Sequence, residues 1–388
     1  MYNNLIYLDN AATSYPKPCK VYEEIQKCLM YYCANPGRSG HQMSVYAGNA
    51  VYETREIICS FFNIENPLRL CFTKNATEAL NFVIKGILKP GEHVITTSME
   101  HNSVLRPLKY VEKHLGVEVT IIWGNKFGEI DPDLIKRSIK NNTVLIIASL
   151  SSNVNGTILP IEEIGKISRE HGLLFLLDSA QGAGSVNIDV IKTNADFLAF
   201  SGHKGLLGPP GIGGLYVRDG INLNPLLHGG TGSNSKSEEQ PEIMPDLLES
   251  GTLNLPGIIG LGTGIKFIKN FGPENIAYYK QLLLKRFHES IKDIKGIKMY
   301  SLMENDRNSG ILAMNFLEYD SSEIANILDV QYGIATRGGF HCAPLAHETL
   351  GTEIQGLVRF SLGCFNTIEE IDYTANALRT ISSKLFRR

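Results

Sequence analysis

The chain has no excess of positive charge: 37 Lys and Arg stand against 40 Asp and Glu, a net charge of −3. Nucleic-acid-binding surfaces ordinarily show as a basic excess, so no nucleic-acid partner is expected. No Lys/Arg run exceeds the terminal Arg387–Arg388 pair. No stretch approaches the roughly 18 consecutive apolar residues that cross a bilayer, so no membrane helix is expected. Residues 1–10 lack a basic stretch followed by an apolar run, which is not the pattern of a secretory signal. Seven cysteines, at 19, 28, 33, 59, 71, 342 and 364, make no Cys-x-x-Cys pair. An odd, scattered set is no disulfide framework, and a reducing cytoplasm is the expected setting. His341, Cys342 and His347 lie close together, but no second ligand pair matches them, so no metal site is expected. Internal repeats and low-complexity tracts are missing as well.

What is present is an ordinary globular composition, 43% hydrophobic and 20% charged, over 388 residues. That length exceeds one simple core and predicts two domains. Short apolar runs near 69–72, 93–97, 118–122, 143–149, 173–177, 197–200 and 213–217 read as strands. Several are apolar throughout, as in a parallel sheet covered on both faces. Between them lie helical patterns; Pro160 opens one over 161–167 and Gly172 closes it. These features predict a large α/β domain. Residues 229–252 read as a long loop, either functional or a plain surface excursion. Helical spacing follows over 258–294, broken at Gly272-Pro273. Strand patterns return at 311–316 and 357–361, with a last helix from about Ile368, which predicts a smaller α+β domain.

Two motifs sit at expected strand ends. Asp178-Ser179-Ala180-Gln181 follows the 173–177 run, and Ser201-Gly202-His203-Lys204 follows the 197–200 run. Open α/β sheets bind ligands at the carboxyl ends of their strands. A carboxylate and a lysine together there suit pyridoxal phosphate (PLP): the lysine attaches the aldehyde and the acid pairs with the pyridine nitrogen. A lone lysine after a strand is more often simply solvated, so the argument rests on the set. Lys74-Asn75-Ala76-Thr77-Glu78 stands between a strand and a helix, where Thr77 could donate to a phosphate or merely cap the helix. Ser201 and His203 offer further donors. His101, in Glu100-His101-Asn102-Ser103, could stack on a cofactor ring and shuttle protons, or be structural. Asn153 closes the fourth strand, where its amide could reach cofactor or substrate.

A second constellation is Arg337-Gly338-Gly339-Phe340-His341-Cys342-Ala343. Paired glycines predict a flexible, exposed turn. Most cysteines are buried and inert, but positive neighbours raise the thiolate fraction, and Arg337 and His341 stand near Cys342. Cys364, in an apolar context, reads as inert. Arg359 is a charge inside a strand pattern. It needs either a substrate carboxylate, held two-pronged, or a structural ion pair.

Together these motifs resemble the class V branch of the fold-type-I PLP enzymes, and within it the cysteine desulfurases and selenocysteine lyases with a short catalytic-cysteine loop. The likeness runs from Tyr7-Leu8-Asp9-Asn10-Ala11-Ala12-Thr13 to Asn366-Thr367. It implies an aspartate-aminotransferase-like α/β fold. Its large PLP domain, with a mostly parallel seven-stranded sheet, covers 16–257. Its small α+β domain covers 1–15 and 258–388. It implies Lys204 as the Schiff-base lysine, Asp178 at the pyridine nitrogen, Gln181 at the ring hydroxyl and His101 over the ring. Ala76, Thr77, Ser201 and His203 would hold the phosphate, with Thr252 reaching the phosphate of a neighbouring subunit in a homodimer. Asn153, His41, Arg337 and Arg359 would face substrate. The family often has Gly-Thr-Thr-Glu where this chain has Asn75-Ala76-Thr77-Glu78. One hydroxyl is missing, which implies weaker phosphate binding. Ser179 replaces a glycine, a change expected to be tolerated.

The implied reaction is desulfuration of L-cysteine to L-alanine, with Lys204 or His101 taking the Cα proton and Cys342 receiving sulfur as a persulfide for an acceptor protein. The rivals are selenocysteine lyase acting on L-selenocysteine, another class V reaction such as transamination or epimerisation, and a non-catalytic PLP-binding scaffold.

Overall fold

A computed structural model describes residues 5–303, 307–317 and 319–386; the Arg387–Arg388 pair lies outside them. The strands are β1 (Ile6–Tyr7), β2 (Leu70–Thr73), β3 (His93–Thr97), β4 (Glu118–Ile122), β5 (Thr143–Ser149), β6 (Leu174–Asp178), β7 (Phe197–Ser201), β8 (Gly213–Val217), β9 (Ile297–Met299), β10 (Ile311–Phe316), β11 (Ile334–Ala335) and β12 (Val358–Ser361). The helices are α1 (Cys19–Tyr31), α2 (Gln42–Phe62), α3 (Ala76–Ile87), α4 (Asn102–Leu115), α5 (Pro132–Arg137), α6 (Ile161–Glu170), α7 (Leu255–Phe271), α8 (Pro273–Ile291), α9 (Ser321–Tyr332), α10 (Pro344–Leu350) and α11 (Ile368–Leu385).

A seven-stranded sheet runs in the order β2-β8-β7-β6-β5-β3-β4. Only β8 opposes its neighbours; the other pairings are parallel. The expected mostly parallel seven-stranded sheet is thus the one observed. Strands β3, β6 and β7 are buried almost end to end, because helices cover both faces and leave no face for polar alternation. One face packs Ile95, Ile146, Leu177 and Phe200 against Phe62, Ile258 and Leu261. The other packs Val94, Leu145 and Leu176 against Leu80, Val83 and Leu108.

Register is what aligns the site. Ser149 pairs with Asp178, and Asp178 with Ala199, so β5, β6 and β7 end at nearly the same level. Helices α3 and α4 begin beside those ends, each capped by a residue of the motifs above: Asn75 accepts from Glu78 N and His101 from Ser103 N.

A three-stranded antiparallel sheet, β12-β10-β9, packs on α8, α9 and α11 through Leu283, Phe287, Met314, Phe316, Phe360 and Leu378. β1 pairs with β11 in parallel, tying the chain's start to this body. The segment before residue 69, where no element is placed above, forms α1 and α2. Both pack against α7, whose Ile258, Leu261, Ile265 and Ile268 join the core of the larger sheet. The 229–252 segment holds no helix or strand.

Candidate active site

A cleft of about 270 Å³ opens at the carboxyl ends of β5, β6 and β7. The structure brings Ala76, Thr77, His101, Asn153, Asp178, Gln181, Ser201, His203, Lys204, Arg337 and Arg359 to its wall. Among the described residues its lining carries one carboxylate, Asp178, against Lys204, Arg337 and Arg359, a balance that favours an anionic occupant.

Asp178 is the last residue of β6 and is 4% exposed. Its Oδ1 accepts from Ala180 N at 2.9 Å. Burial raises its pKa, and the Lys204 charge pulls the other way. Lys204 lies three residues past β7; burial lowers its pKa to about 8, with Asp178 opposing. A lysine there is a usable base near neutral pH.

The start of α3 gathers donors. Ala76 N donates to Ser201 Oγ at 3.1 Å, and the Thr77 and Ser103 hydroxyls lie 2.7 Å apart. His203 Nδ1 is buried without a partner. A helix start ringed by hydroxyls and an unpaired imidazole nitrogen is a place for a phosphate. Gln181 Nε2 donates to Ala11 O at 2.8 Å. These residues fit pyridoxal phosphate: donors for its phosphate, a buried carboxylate for the pyridinium and a buried lysine for the aldehyde, all on one cleft wall. Ala76 contributes only its backbone, as its side chain predicts.

His101 Nδ1 accepts from Ser103 N at 3.0 Å, which assigns the ring proton to Nε2. Burial, then the Lys204 and Arg337 charges, lower its pKa to about 4. His101 is therefore neutral, with a donor rather than a base left for the cleft.

The Arg337–Ala343 segment overturns two expectations. It is not a flexible turn. Gly339 N donates to Ser321 Oγ at 3.0 Å, Leu357 N to Gly339 O at 3.1 Å and Asn102 N to Cys342 O at 2.7 Å. Asn153 Nδ2 donates to His341 O at 2.7 Å. Gly338 is needed for close approach, since a Cβ there would lie 2.5 Å from Ser321 O. Nor does His341 lend charge to Cys342. It is 2% exposed, bonds Arg337 O through Nε2, and burial holds it neutral. The charge beside Cys342 is Arg337, whose Nη2 lies 3.8 Å from Sγ. Cys342 itself is exposed, and both His341 and Cys342 have positive φ, of 50° and 58°. Non-glycine residues hold that conformation at a cost, typically of about 1–3 kcal/mol each at functional loops.

Arg359 meets both accounts of a charge in a strand. Nη2 pairs with Asp9 Oδ1 at 2.7 Å and Nη1 donates to Asn153 O at 2.8 Å. Its Nε is buried without a partner, and the side chain lines the cleft. Cys342, His41 and Thr252 are not among the cleft's lining residues. His41 caps α2, and Thr252 sits exposed after the long loop.

The sequence reading passes over Ser103, Ser149 and Glu100. Glu100 is fully buried, accepts from Ser149 N and Oγ and from Thr97 Oγ1, and burial raises its pKa to about 7. Only its place beside His101 could have flagged it.

Residues 6–374 match the family described as aminotransferase class-V. The chain belongs to that family. A probable cysteine desulfurase of Methanothermobacter thermautotrophicus is 35% identical over 97% of this class V chain and 94% of its own length. One from Pyrococcus abyssi is also 35% identical, over 98% and 95%. Among solved structures, the apo cysteine desulfurase from Thermococcus onnurineus superposes with a TM-score of 0.92 at 34% identity, covering 98% of this chain and 96% of that one. The class V family is PLP-dependent, in keeping with the cleft's donor set.

Proposed function

We propose that this class V chain is a PLP-dependent cysteine desulfurase that converts L-cysteine to L-alanine. When bound, the cofactor supplies an electron sink for the bond broken at the substrate Cα. Lys204 would hold it and would take the substrate's Cα proton. With a pKa of about 8 against about 4 for His101, Lys204 is the stronger base. His101 would stack on the cofactor ring, with its Nε2–H as a donor in the cleft. Asp178 would pair with the pyridine nitrogen, Thr77, Ser201 and His203 would hold the phosphate, and Gln181 would take the ring hydroxyl. Arg359 takes the substrate carboxylate through its unpaired Nε, while Asp9 and Asn153 fix its other two nitrogens.

Cys342, whose Sγ lies 3.8 Å from Arg337 Nη2, attacks the substrate sulfur as its thiolate. The sulfur–Cβ bond breaks, its electron pair stays with the carbon skeleton, and a persulfide remains on Cys342. Proton return through Lys204 releases alanine. The persulfide passes to a sulfur-acceptor protein, for which an exposed Cys342 is suited.

We propose further that the chain works as a cytoplasmic homodimer in which Thr252 serves the partner's cleft. The two-domain division is part of the same reading. Packing of Ile258, Leu261, Ile265 and Ile268 in the larger core supports a boundary at the α7–α8 junction in place of residue 257.

The Arg337–Cys342 contact at the cleft's edge carries the desulfurase reading. The test is release of alanine and sulfide from L-cysteine by the purified holoenzyme, with and without a reductant. Stoichiometric alanine, with sulfide set free only on reduction, is expected. Alanine from L-selenocysteine alone would make it a selenocysteine lyase. No turnover of any amino acid would leave a PLP-binding scaffold.

A further inference from the structure

No residue of the segment 13–17 lines the cleft, yet the segment grips the backbone at Lys204. Lys17 is 9% exposed, and burial lowers its pKa to about 8. Among the described residues no carboxylate lies within ion-pair distance of it. An ammonium buried without a counter-ion is costly, and only hydrogen bonds offset that cost. Its Nζ donates to Ser14 Oγ at 2.6 Å and to His203 O at 2.6 Å. Bonds this short from a charged donor are of the strong class.

The His203 carbonyl is the focus of the whole segment. Besides Lys17, Ser14 N lies 3.0 Å away and Thr13 Oγ1 3.1 Å away. The next carbonyl, of Lys204, accepts from Leu207 N at 2.9 Å and has Ser14 Oγ at 2.9 Å. A peptide unit is planar, so fixing the His203 carbonyl fixes the plane that enters the Lys204 Cα. Fixing the Lys204 carbonyl fixes the plane that leaves it. Together they set the direction in which the Lys204 Cα–Cβ bond leaves the backbone.

We propose that Lys17 is a positioning residue for Lys204. Its buried ammonium locks the His203–Lys204 peptide, so that an amine on a flexible four-carbon stem returns to one place each time substrate frees it. This rests on the desulfurase reading but adds a residue whose side chain meets neither cofactor nor substrate. A purely structural lysine would lower stability and leave the geometry at Lys204 unchanged.

The test uses holoenzyme of wild type, Lys17→Met and Lys17→Arg. It measures alanine release from L-cysteine, the visible circular dichroism of the bound cofactor at one fixed pH, and thermal unfolding. Lys17→Met should bind the cofactor at full stoichiometry and change its visible dichroism. Its kcat should fall by about 10²-fold, the scale of a misplacement of about 1 Å, with KM little changed. Lys17→Arg, which keeps a charged donor, should recover much of both signals. Wild-type kcat and dichroism in Lys17→Met would overturn the proposal. So would a loss that follows unfolding temperature and is not restored by arginine. Should Lys17→Met give no soluble holoenzyme, Lys17→Gln is read against the same two outcomes. Wild type that makes no alanine from L-cysteine refutes the desulfurase reading instead, while the dichroism comparison still decides the role of Lys17.

Discussion

Replacing Arg359 by lysine keeps the charge and removes the planar fork. The native guanidinium spends Nη2 on Asp9 at 2.7 Å and Nη1 on Asn153 O at 2.8 Å, leaving Nε for a ligand. A lysine on the same strand position can satisfy Asp9 or reach into the cleft, and its single nitrogen cannot do both with this geometry. Asp9 is the stronger attractor, since it offers opposite charge at the buried end of the stem. The ligand contact is therefore the one lost. A hydrogen bond involving a charged group contributes about 1.5–3 kcal/mol. At 1.4 kcal/mol per decade, L-cysteine binding should weaken roughly ten- to hundred-fold. PLP affinity should hold, because no phosphate or pyridine contact is assigned to Arg359. The assay is titration of the cofactor's visible absorbance with L-cysteine, alongside PLP titration of the apoprotein. An unchanged L-cysteine midpoint would refute the argument and leave Arg359 as a strut between Asp9 and Asn153. Equal losses for substrate and cofactor would mean that the cleft had collapsed.

Cys342→Ala should keep the cofactor's colour, lose nearly all alanine production from L-cysteine and retain part of that from L-selenocysteine, whose weaker carbon–selenium bond needs less help; chromatographic alanine assay on one preparation decides it. Gly338→Ala must push its Cβ away from Ser321 O, displacing the cysteine loop, so kcat should fall while PLP binding is preserved. Arg55 and Glu249, both about 5% exposed and paired at 2.6 Å, join α2 to the segment before Thr252. Arg55→Met should cost about 3–5 kcal/mol in denaturant unfolding, because it strands the Glu249 charge in the interior. For the apoprotein, His101, His203 and His347 have pKa values lowered to about 4, and His341 is lowered further. The unfolded chain then binds more protons than the folded one between about pH 6.5 and 4, so stability should fall as pH falls through that window. Glu100, raised to about 7, works in the opposite sense. Urea midpoints against pH should show the decline, and Glu100→Gln should steepen it.

Much of this was legible before any coordinates. The strand over Thr143–Ser149 and those at His93–Thr97, Glu118–Ile122 and Gly213–Val217 fall where short runs rich in apolar and β-branched residues place them, although β4, at the edge of the sheet, is only partly buried. Asp178 and Lys204 could be marked because each follows such a run by a few residues. Less legible were α1 and α2. Leu29, Met30, Tyr31, Met43 and Tyr46 are exposed in the single chain, so their apolar residues do not fall on one buried stripe. The paired glycines misled because sequence records that a residue lacks a Cβ, and not whether the space is needed for freedom or for a neighbour's carbonyl.

The sequence by itself determined the chemistry at hand: which residues can bear an imine, a thiolate, a guanidinium or a phosphate contact, and that they lie at strand ends. Those are properties of side-chain type and of local periodicity, which neighbours in the chain dictate. The tertiary structure decided which groups are charged and which are tied. His341 proved neutral, Arg337 became the cation beside Cys342, and Lys17 was drawn under the backbone of Lys204, 187 positions away in the chain. Charge state and hydrogen-bond partner depend on burial and on residues distant in sequence, and only the packed fold fixes those.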